Sequence, residues 1–189
     1  HEALNLAALW ELPVIFIIEN NQYSMGTSQE RSSAGNPLAK RAEGYGMRWA
    51  KAPGNDLATV RAYTGAALDY VRETSRPMIL EFDTYRYRGH SMSDPDQTYR
   101  SKEEIAEYKK SSDPIDHYAS ILEKEKVLTA ELKDTIDKEA KAEASDAADY
   151  AEESPFPPPE DIMKDIYWET DNPDHKTSEG TLFFNSLND

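Results

Sequence analysis

Residues 13–26 read P-V-I-F-I-I-E-N-N-Q-Y-S-M-G. Val14 to Ile18 are five consecutive apolar residues, all β-branched or aromatic, bounded by a proline and a polar turn. That is the pattern of a strand buried on both faces. The run stops abruptly at Glu19, Asn20 and Asn21. In a parallel α/β sheet, ligands bind in the crevice outside the carboxyl ends of the strands, so the two asparagines stand where a ligand would be met. An asparagine amide oxygen is a neutral hard donor suited to Mg²⁺ or Ca²⁺. The same pair also suits an Asx-turn that caps backbone groups where a strand ends. The stretch alone leaves both readings open.

Outward from this strand, helical and extended patterns alternate. Before it, residues 2–11 place Ala3, Leu6, Ala7 and Trp10 on one helical stripe. After it, residues 20–37 are small and polar, the composition of a long ordered loop, and such loops inside a compact domain are usually functional. A short helix is expected over 38–46, ending on Gly44-Tyr45-Gly46. A strand follows at 47–52, then a helix at 57–74 capped by Asp56, then a strand at 78–82. This order predicts an α/β fold with a doubly wound parallel sheet, followed by a helical C-terminal region.

The second informative stretch, residues 83–100, reads D-T-Y-R-Y-R-G-H-S-M-S-D-P-D-Q-T-Y-R. Arg86, Arg88 and His90 recur at every second position, so an extended segment would bring them to one side, converging on an anion. Gly89 lets the backbone approach closely. The alternative is a solvated loop whose arginines pair with acidic residues elsewhere. Both this loop and the Asn-Asn turn follow strands of one parallel sheet, which predicts that they open onto the same edge.

Ser101 to Glu104 have the form of a capping box, Asp113-Pro114 starts a further helix, and a long helix is expected from Thr129 to about Glu153. His117 is read as solvent-facing or capping. The run Pro155-Phe156-Pro157-Pro158-Pro159 opens an extended arm. Beyond it, Ile162, Met163, Ile166, Tyr167 and Trp168 are apolar enough to dock on this domain or on a partner, and the tail from Thr170 is polar. Three regions are therefore expected: an α/β region over 1–100, a helical region over 101–154 packed on it, and a Pro-rich arm and tail over 155–189.

Composition narrows the function. The chain has 189 residues, 38% hydrophobic, with no cysteine, which excludes a disulfide scaffold and thiolate metal sites and fits a reducing compartment. No apolar run approaches the roughly 20 residues that span a bilayer. Residues 1–100 carry a net charge of −1 and residues 101–189 one of −14, together the −15 of the chain. So acidic a second half repels nucleic acid and anionic membrane, leaving anion handling to the first. The chain opens with a helix already under way and no initiator methionine, and reads as a fragment.

The segments Glu19-Asn20-Asn21-Gln22-Tyr23-Ser24-Met25-Gly26-Thr27-Ser28 and Tyr85-Arg86-Tyr87-Arg88-Gly89-His90-Ser91-Met92-Ser93-Asp94-Pro95 resemble the α-subunits of thiamine-diphosphate-dependent pyruvate dehydrogenases, the decarboxylating components of 2-oxo acid dehydrogenase complexes. The likeness extends over roughly residues 1 to 165. It implies the C-terminal part of such a subunit, with a thiamine-diphosphate-binding fold over 1–100. The cofactors implied are thiamine diphosphate and Mg²⁺. By resemblance, Asn21 gives its side-chain oxygen and Tyr23 its backbone carbonyl to Mg²⁺, and an aspartate ahead of His1 gives the charged ligand. His90 corresponds to the catalytic-loop histidine that reaches the diphosphate, and Arg86 to an arginine that helps hold that loop. Arg88 departs from relatives that carry histidine there, and would grip an anion or pair with Asp94 or Asp96. Ser28, Ser91 and Thr98 stand at positions phosphorylated in animal relatives, or aligned with them.

The activity implied is oxidative decarboxylation of pyruvate with acetyl transfer to lipoamide. The partners implied are a β-subunit in an α2β2 heterotetramer and the lipoyl domain of a dihydrolipoyl acyltransferase. Without the β-subunit the chain is expected to be inactive. The alternatives are a branched-chain 2-oxo acid or acetoin dehydrogenase subunit, a noncatalytic phosphate-binding domain, or an acidic scaffold. The compartment implied is bacterial cytoplasm ahead of mitochondrial matrix.

Overall fold

Three parallel strands form the central sheet of the computed structural model, which describes residues 1–95 and 98–164. They are β1 (Ile15–Asn20), β4 (Arg48–Pro53) and β5 (Met78–Asp83), in the order β1-β5-β4. Between β1 and β4 a two-stranded hairpin, β2 (Tyr23–Ser24) and β3 (Thr27–Ser28), leads into the short helix α2 (Gln29–Ser32). The expected unbroken loop at 20–37 therefore has secondary structure of its own.

Side chains alternate across the sheet, and helices cover both faces. On one face Ile79 meets Ala39, Ala42 and Met47, with Leu4 and Ala8 of α1 (Glu2–Leu9) and Phe16, Ile18 and Trp49 packed around them. On the other, Leu80, Phe82 and Ala52 bury Ala67 of α3 (Leu57–Thr74), flanked by Val60, Ile15, Ala50 and Met78. This is the geometry that period-2 strands and period-3.6 helices produce when each hides one apolar side.

The connections follow local chemistry. The short helix expected at 38–46 is present as a 3-10 helix, Leu38–Tyr45, ending at Gly46, whose φ of +67° is the left-handed conformation glycine adopts freely. Asp56 caps α3 as expected, its carboxylate accepting from the backbone N–H of Ala58 and Thr59. Gly54 is needed where β4 ends, because a Cβ there would lie 2.7 Å from the carbonyl oxygen of Asp83.

One expectation is corrected. The strand at 13–18 is not buried on both faces: β1 lies at a sheet edge, and its Ile17 is 53% exposed.

After β5 come a long loop and the helices α4 (Lys102–Ser112) and α5 (Pro114–Lys124). Ser101 accepts from the Glu104 N–H, the first half of the expected capping box, while Glu104 turns its carboxylate to two tyrosines. Asp113 caps α5. The chain divides into two compact units, His1–Thr129 and Ala130–Asp189. The second contains α6 (Ala130–Glu153), which carries i,i+4 ion pairs between Lys138 and Asp134 and between Lys141 and Asp137, and a 3-10 turn at Pro159–Met163. The docking proposed for Ile166, Tyr167 and Trp168, and the tail from Thr170, lie outside the described residues, as does the side chain of Met163.

Leu80 is 1% exposed between the sheet and α3. Leu80→Ala is expected to cost roughly 2–5 kcal/mol of folding free energy, read from the midpoint of urea unfolding.

Candidate functional site

Asn20, Pro53 and Asp83 end the three strands in register, so the loops after β1 and β5 leave from one edge, as the sequence predicts. The Thr84 N–H donates to the Asn20 carbonyl at 2.8 Å and ties their starting points together.

Beneath this edge lies a charged residue that pattern reading passed over. Glu81 is fully buried in β5. Its Oε1 accepts from Asn20 Nδ2 and its Oε2 from the Ala39 N–H, both at 2.8 Å, and the Lys51 ammonium stands 3.6 Å away. Lys51 also reaches Asp83 at 3.0 Å. Burial works against its charge, but the Asp83 and Glu81 carboxylates outweigh that and hold it above the ordinary lysine range. The one signal for this cluster in the sequence is a glutamate inside the apolar run Met78 to Phe82.

Asn20 has little left for a ligand. Besides Glu81, its amide donates to Gln29 Oε1 at 2.8 Å, and its Oδ1 accepts from the Gln22 N–H. Asn21 makes a second Asx-turn, accepting the Tyr23 N–H at 3.0 Å. Capping, one of the two readings of the Asn-Asn pair, is thus what both side chains do. For Asn21 it does not exclude the other, since an amide oxygen has two lone pairs and one N–H occupies only one. Gln22 between them takes a φ of +70°, a strained value for a residue with a side chain, and is held by bonds from its amide to Asp83 and to the Asn20 carbonyl.

The loop after β5 is held from within, and of the three basic side chains that alternation places together Arg86 and His90 line one cleft while Arg88 is not among its lining residues. Arg86 spends its guanidinium on the carbonyls of Arg88 and Met25 and on the Tyr99 hydroxyl. It therefore fastens the loop after β5 to the β2–β3 hairpin. The Arg88 side chain is exposed and has no hydrogen bond or ion pair among the described residues; Asp94 does not take it, and Asp96 lies outside them. Asp94 accepts the His90 N–H at 2.6 Å and the Tyr99 hydroxyl at 2.7 Å. These two bonds, then the Arg86 charge, hold its carboxyl below the usual aspartate range against a modest desolvation. Gly89 makes the clasp possible, since a Cβ there would sit 2.8 Å from the Asp94 carbonyl oxygen.

An aromatic wall backs the loop. Arg100, 5% exposed, donates to the Arg86 carbonyl and lies over the rings of Tyr23, Tyr85 and Tyr99 at 5.5–5.8 Å. Glu104 Oε1 accepts from the hydroxyls of Tyr23 and Tyr85. Burial first, then the bond to Glu104, push the Tyr85 hydroxyl up to about 12, so it stays a donor at neutral pH.

Asn21, Tyr23, Arg86 and His90 come together on the wall of one cleft of about 550 Å³, with Gln29 and Ser32 beside them. The donors are neutral oxygens, one imidazole and the Glu19 carboxylate; among the described residues no three His, Cys, Asp or Glu cluster as metal ligands. Such a set, oxygen donors with a single carboxylate, fits part of a hard-cation site. Ser28 lines a neighbouring cleft of about 510 Å³ with Tyr85, Glu104 and Tyr108. Ser91 and Thr98 are exposed, the first hydroxyl against Ser93, the second on the Pro95 carbonyl. His117 is exposed, outside both clefts.

Residues 1–160 match the family model described as Dehydrogenase E1 component. The chain belongs to the Dehydrogenase E1 component family. Among relatives, it is similar to the "Pyruvate dehydrogenase E1 component subunit alpha" of Zymomonas mobilis, 45% identical over 166 residues, which cover 88% of this chain and 46% of that protein. The protein of the same name in Rickettsia bellii is 46% identical over 168 residues, 88% of this chain and 51% of that one. A mitochondrial "Pyruvate dehydrogenase E1 component subunit alpha" of Dictyostelium discoideum is 40% identical over 166 residues, 88% and 44%. The chain spans about half the length of the curated relatives it matches. This E1 family chain has, among the described residues, no helix long and apolar enough to cross a membrane.

The Asp94 clasp has a defined pH dependence. A carboxyl depressed in the folded state contributes stability that is present above the unfolded value of about 3.9 and is lost as pH falls through the folded value. Below about pH 4 the His90 amide resonance is expected to shift as the clasp opens. In Asp94→Asn the shift should vanish, and a His90 amide already displaced at pH 7 is the expected starting point.

Proposed function

We propose that the chain is part of the α-subunit of a pyruvate dehydrogenase (acetyl-transferring), and that its cleft holds the Mg²⁺-diphosphate end of thiamine diphosphate. The observation that carries this reading is the meeting of Asn21, Tyr23, Arg86 and His90 in one cleft at the carboxyl edge of a parallel sheet, from loops 60 residues apart. The names of the relatives favour pyruvate over a branched-chain 2-oxo acid or acetoin.

When bound, thiamine diphosphate supplies the carbanion stabilisation that decarboxylation of a 2-oxo acid needs. The residues of this chain orient it. Asn21 Oδ1 and the Tyr23 carbonyl are the oxygens assigned to the cation. The His90 ring, which lines the cleft, is assigned a hydrogen bond to a diphosphate oxygen. Arg86 keeps the histidine loop and the asparagine hairpin in fixed relation. A phosphate on Ser91 would place about two negative charges next to His90 in the chain, where it would repel a diphosphate.

The wider reading follows the family: a doubly wound thiamine-diphosphate-binding region over 1–100, a helical region over 101–154 and an arm beyond it. A β-subunit in an α2β2 heterotetramer completes the site, and a lipoyl domain takes the acetyl group. The exposed Ile17 on an edge strand supports incompleteness, since parallel sheets are ordinarily covered on both faces.

The test is calorimetric binding of thiamine diphosphate to the complete subunit assembled with its β-partner, with and without Mg²⁺, in wild type and Asn21→Ala. Binding is expected to require Mg²⁺ and to weaken by about 10–100-fold or more in the variant. His90→Ala should weaken it by about tenfold, the worth of one hydrogen bond to a charged group. Equal binding in all samples, or phosphate binding indifferent to Mg²⁺ and to thiamine, would return the chain to the noncatalytic phosphate-binding reading.

A further inference from the structure

The buried Glu81 carboxylate closes a loop through two hydrogen bonds. Its Oε1 holds Asn20, the last residue of β1, and its Oε2 holds the backbone N–H of Ala39, in the first turn of the 3-10 helix. The intervening segment carries Asn21, Tyr23 and Gln29. From Asn20 the constraint runs on without a gap: Asn20 Oδ1 takes the Gln22 N–H, and Asn21 Oδ1 takes the Tyr23 N–H.

We propose that Glu81 is a positioning residue for the cofactor site: by binding both ends of the 20–39 segment it sets where Asn21 and the Tyr23 carbonyl stand. It touches no ligand itself, and the inference rests on the cofactor reading given above. The chemistry of the position supports it. Both partners are N–H donors at 2.8 Å, so residue 81 must present two acceptors on one rigid plane, as the two oxygens of a carboxylate do. Glutamine has one acceptor and one donor, and would set an N–H against either Asn20 or Ala39. A strand residue serving only the core would be apolar, as Ile79, Leu80 and Phe82 are, because a buried charge is costly even with a lysine 3.6 Å away. The left-handed Gln22 inside the segment adds strain that must be held in place.

The experiment uses the complete subunit with its β-partner and compares wild type, Glu81→Gln, Asn21→Ala and the double variant Glu81→Gln/Asn20→Asp. Four quantities are read: the Kd of thiamine diphosphate at saturating Mg²⁺, kcat at saturating cofactor, the thermal midpoint, and amide exchange without cofactor. Glu81→Gln is expected to raise Kd about tenfold or more while lowering kcat less. Exchange should quicken across 21–39 and stay unchanged in β4 and β5. The double variant reverses donor and acceptor between positions 20 and 81, leaves Ala39 its acceptor, lets the Gln29 amide turn over so that its otherwise unpartnered Nε2 donates to the new carboxylate, and should recover much of the affinity. A lowered thermal midpoint with unchanged Kd, alongside an Asn21→Ala variant that does bind weakly, would overturn the proposal and leave Glu81 a merely structural residue. Unchanged Kd in Asn21→Ala as well would overturn the cofactor reading and this inference with it. Should Glu81→Gln not fold, Glu81→Asp keeps the charge, withdraws it by one methylene, and is expected to show the same rise in Kd and the same local exchange.

Discussion

A carboxylate with no solvent around it, two N–H donors at hydrogen-bond distance and an ammonium just beyond them is the constraint on which the site end of this molecule depends. Glu81 sits on the face of the sheet that packs against α1 and the 3-10 helix, in register with Lys51 on one neighbouring strand and Ile18 on the other. The apolar side chains on that face account for the packing of the layers. They do not say where the chain should go once it leaves β1. That direction is set by bonds with fixed lengths and angles, and in a low-dielectric interior such bonds are strong when satisfied and costly when broken.

The two loops at the edge solve the same problem by different means. The hairpin after β1 is fastened from below, through Glu81, Asn20 and Asp83. The loop after β5 is fastened from within: Asp94 gathers the His90 N–H and the Tyr99 hydroxyl, and Arg86 binds three oxygens, one of them the Met25 carbonyl of the other loop. In each case the ionised side chains nearest the backbone are consumed by it. What lines the cleft besides Arg86 is a set of neutral oxygens, an imidazole and the Glu19 carboxylate. A surface of that kind discriminates by geometry more than by net charge, which accords with a chain whose overall balance is strongly acidic.

Much of this was legible in the residues. The β-branched run ending in Asn-Asn, the Asp56 cap, the Gly46 stop and the strand at Met78 place the elements within a residue or two. The rule that ligands gather beyond parallel strands correctly sent both loops to one edge. Three things were not legible, for physical reasons. Periodicity cannot tell an edge strand from a central one, so the exposure of Ile17 was missed. Alternation at Arg86, Arg88 and His90 describes an extended chain, whereas Gly89 and Asp94 fold the loop back on itself. The Glu81 hub is non-local, joining residues 42 and 61 positions away in sequence, and a lone glutamate in an apolar run signals only that some partner must exist.

The open edge of the sheet and the make-up of the cleft wall meet on β1. Its carboxyl end leads into the Asn-Asn turn, and its free side leaves Ile17 53% exposed. Glu19, just ahead of that turn, lines the cleft beside the amide oxygens, so the wall offers a carboxylate as well as neutral donors. On the cofactor reading proposed above, the charge of a hard cation there would be met by the diphosphate it carries and by carboxylates near the site. An apolar side chain half in water on an edge strand is the kind of surface that a neighbouring segment covers in a parallel sheet.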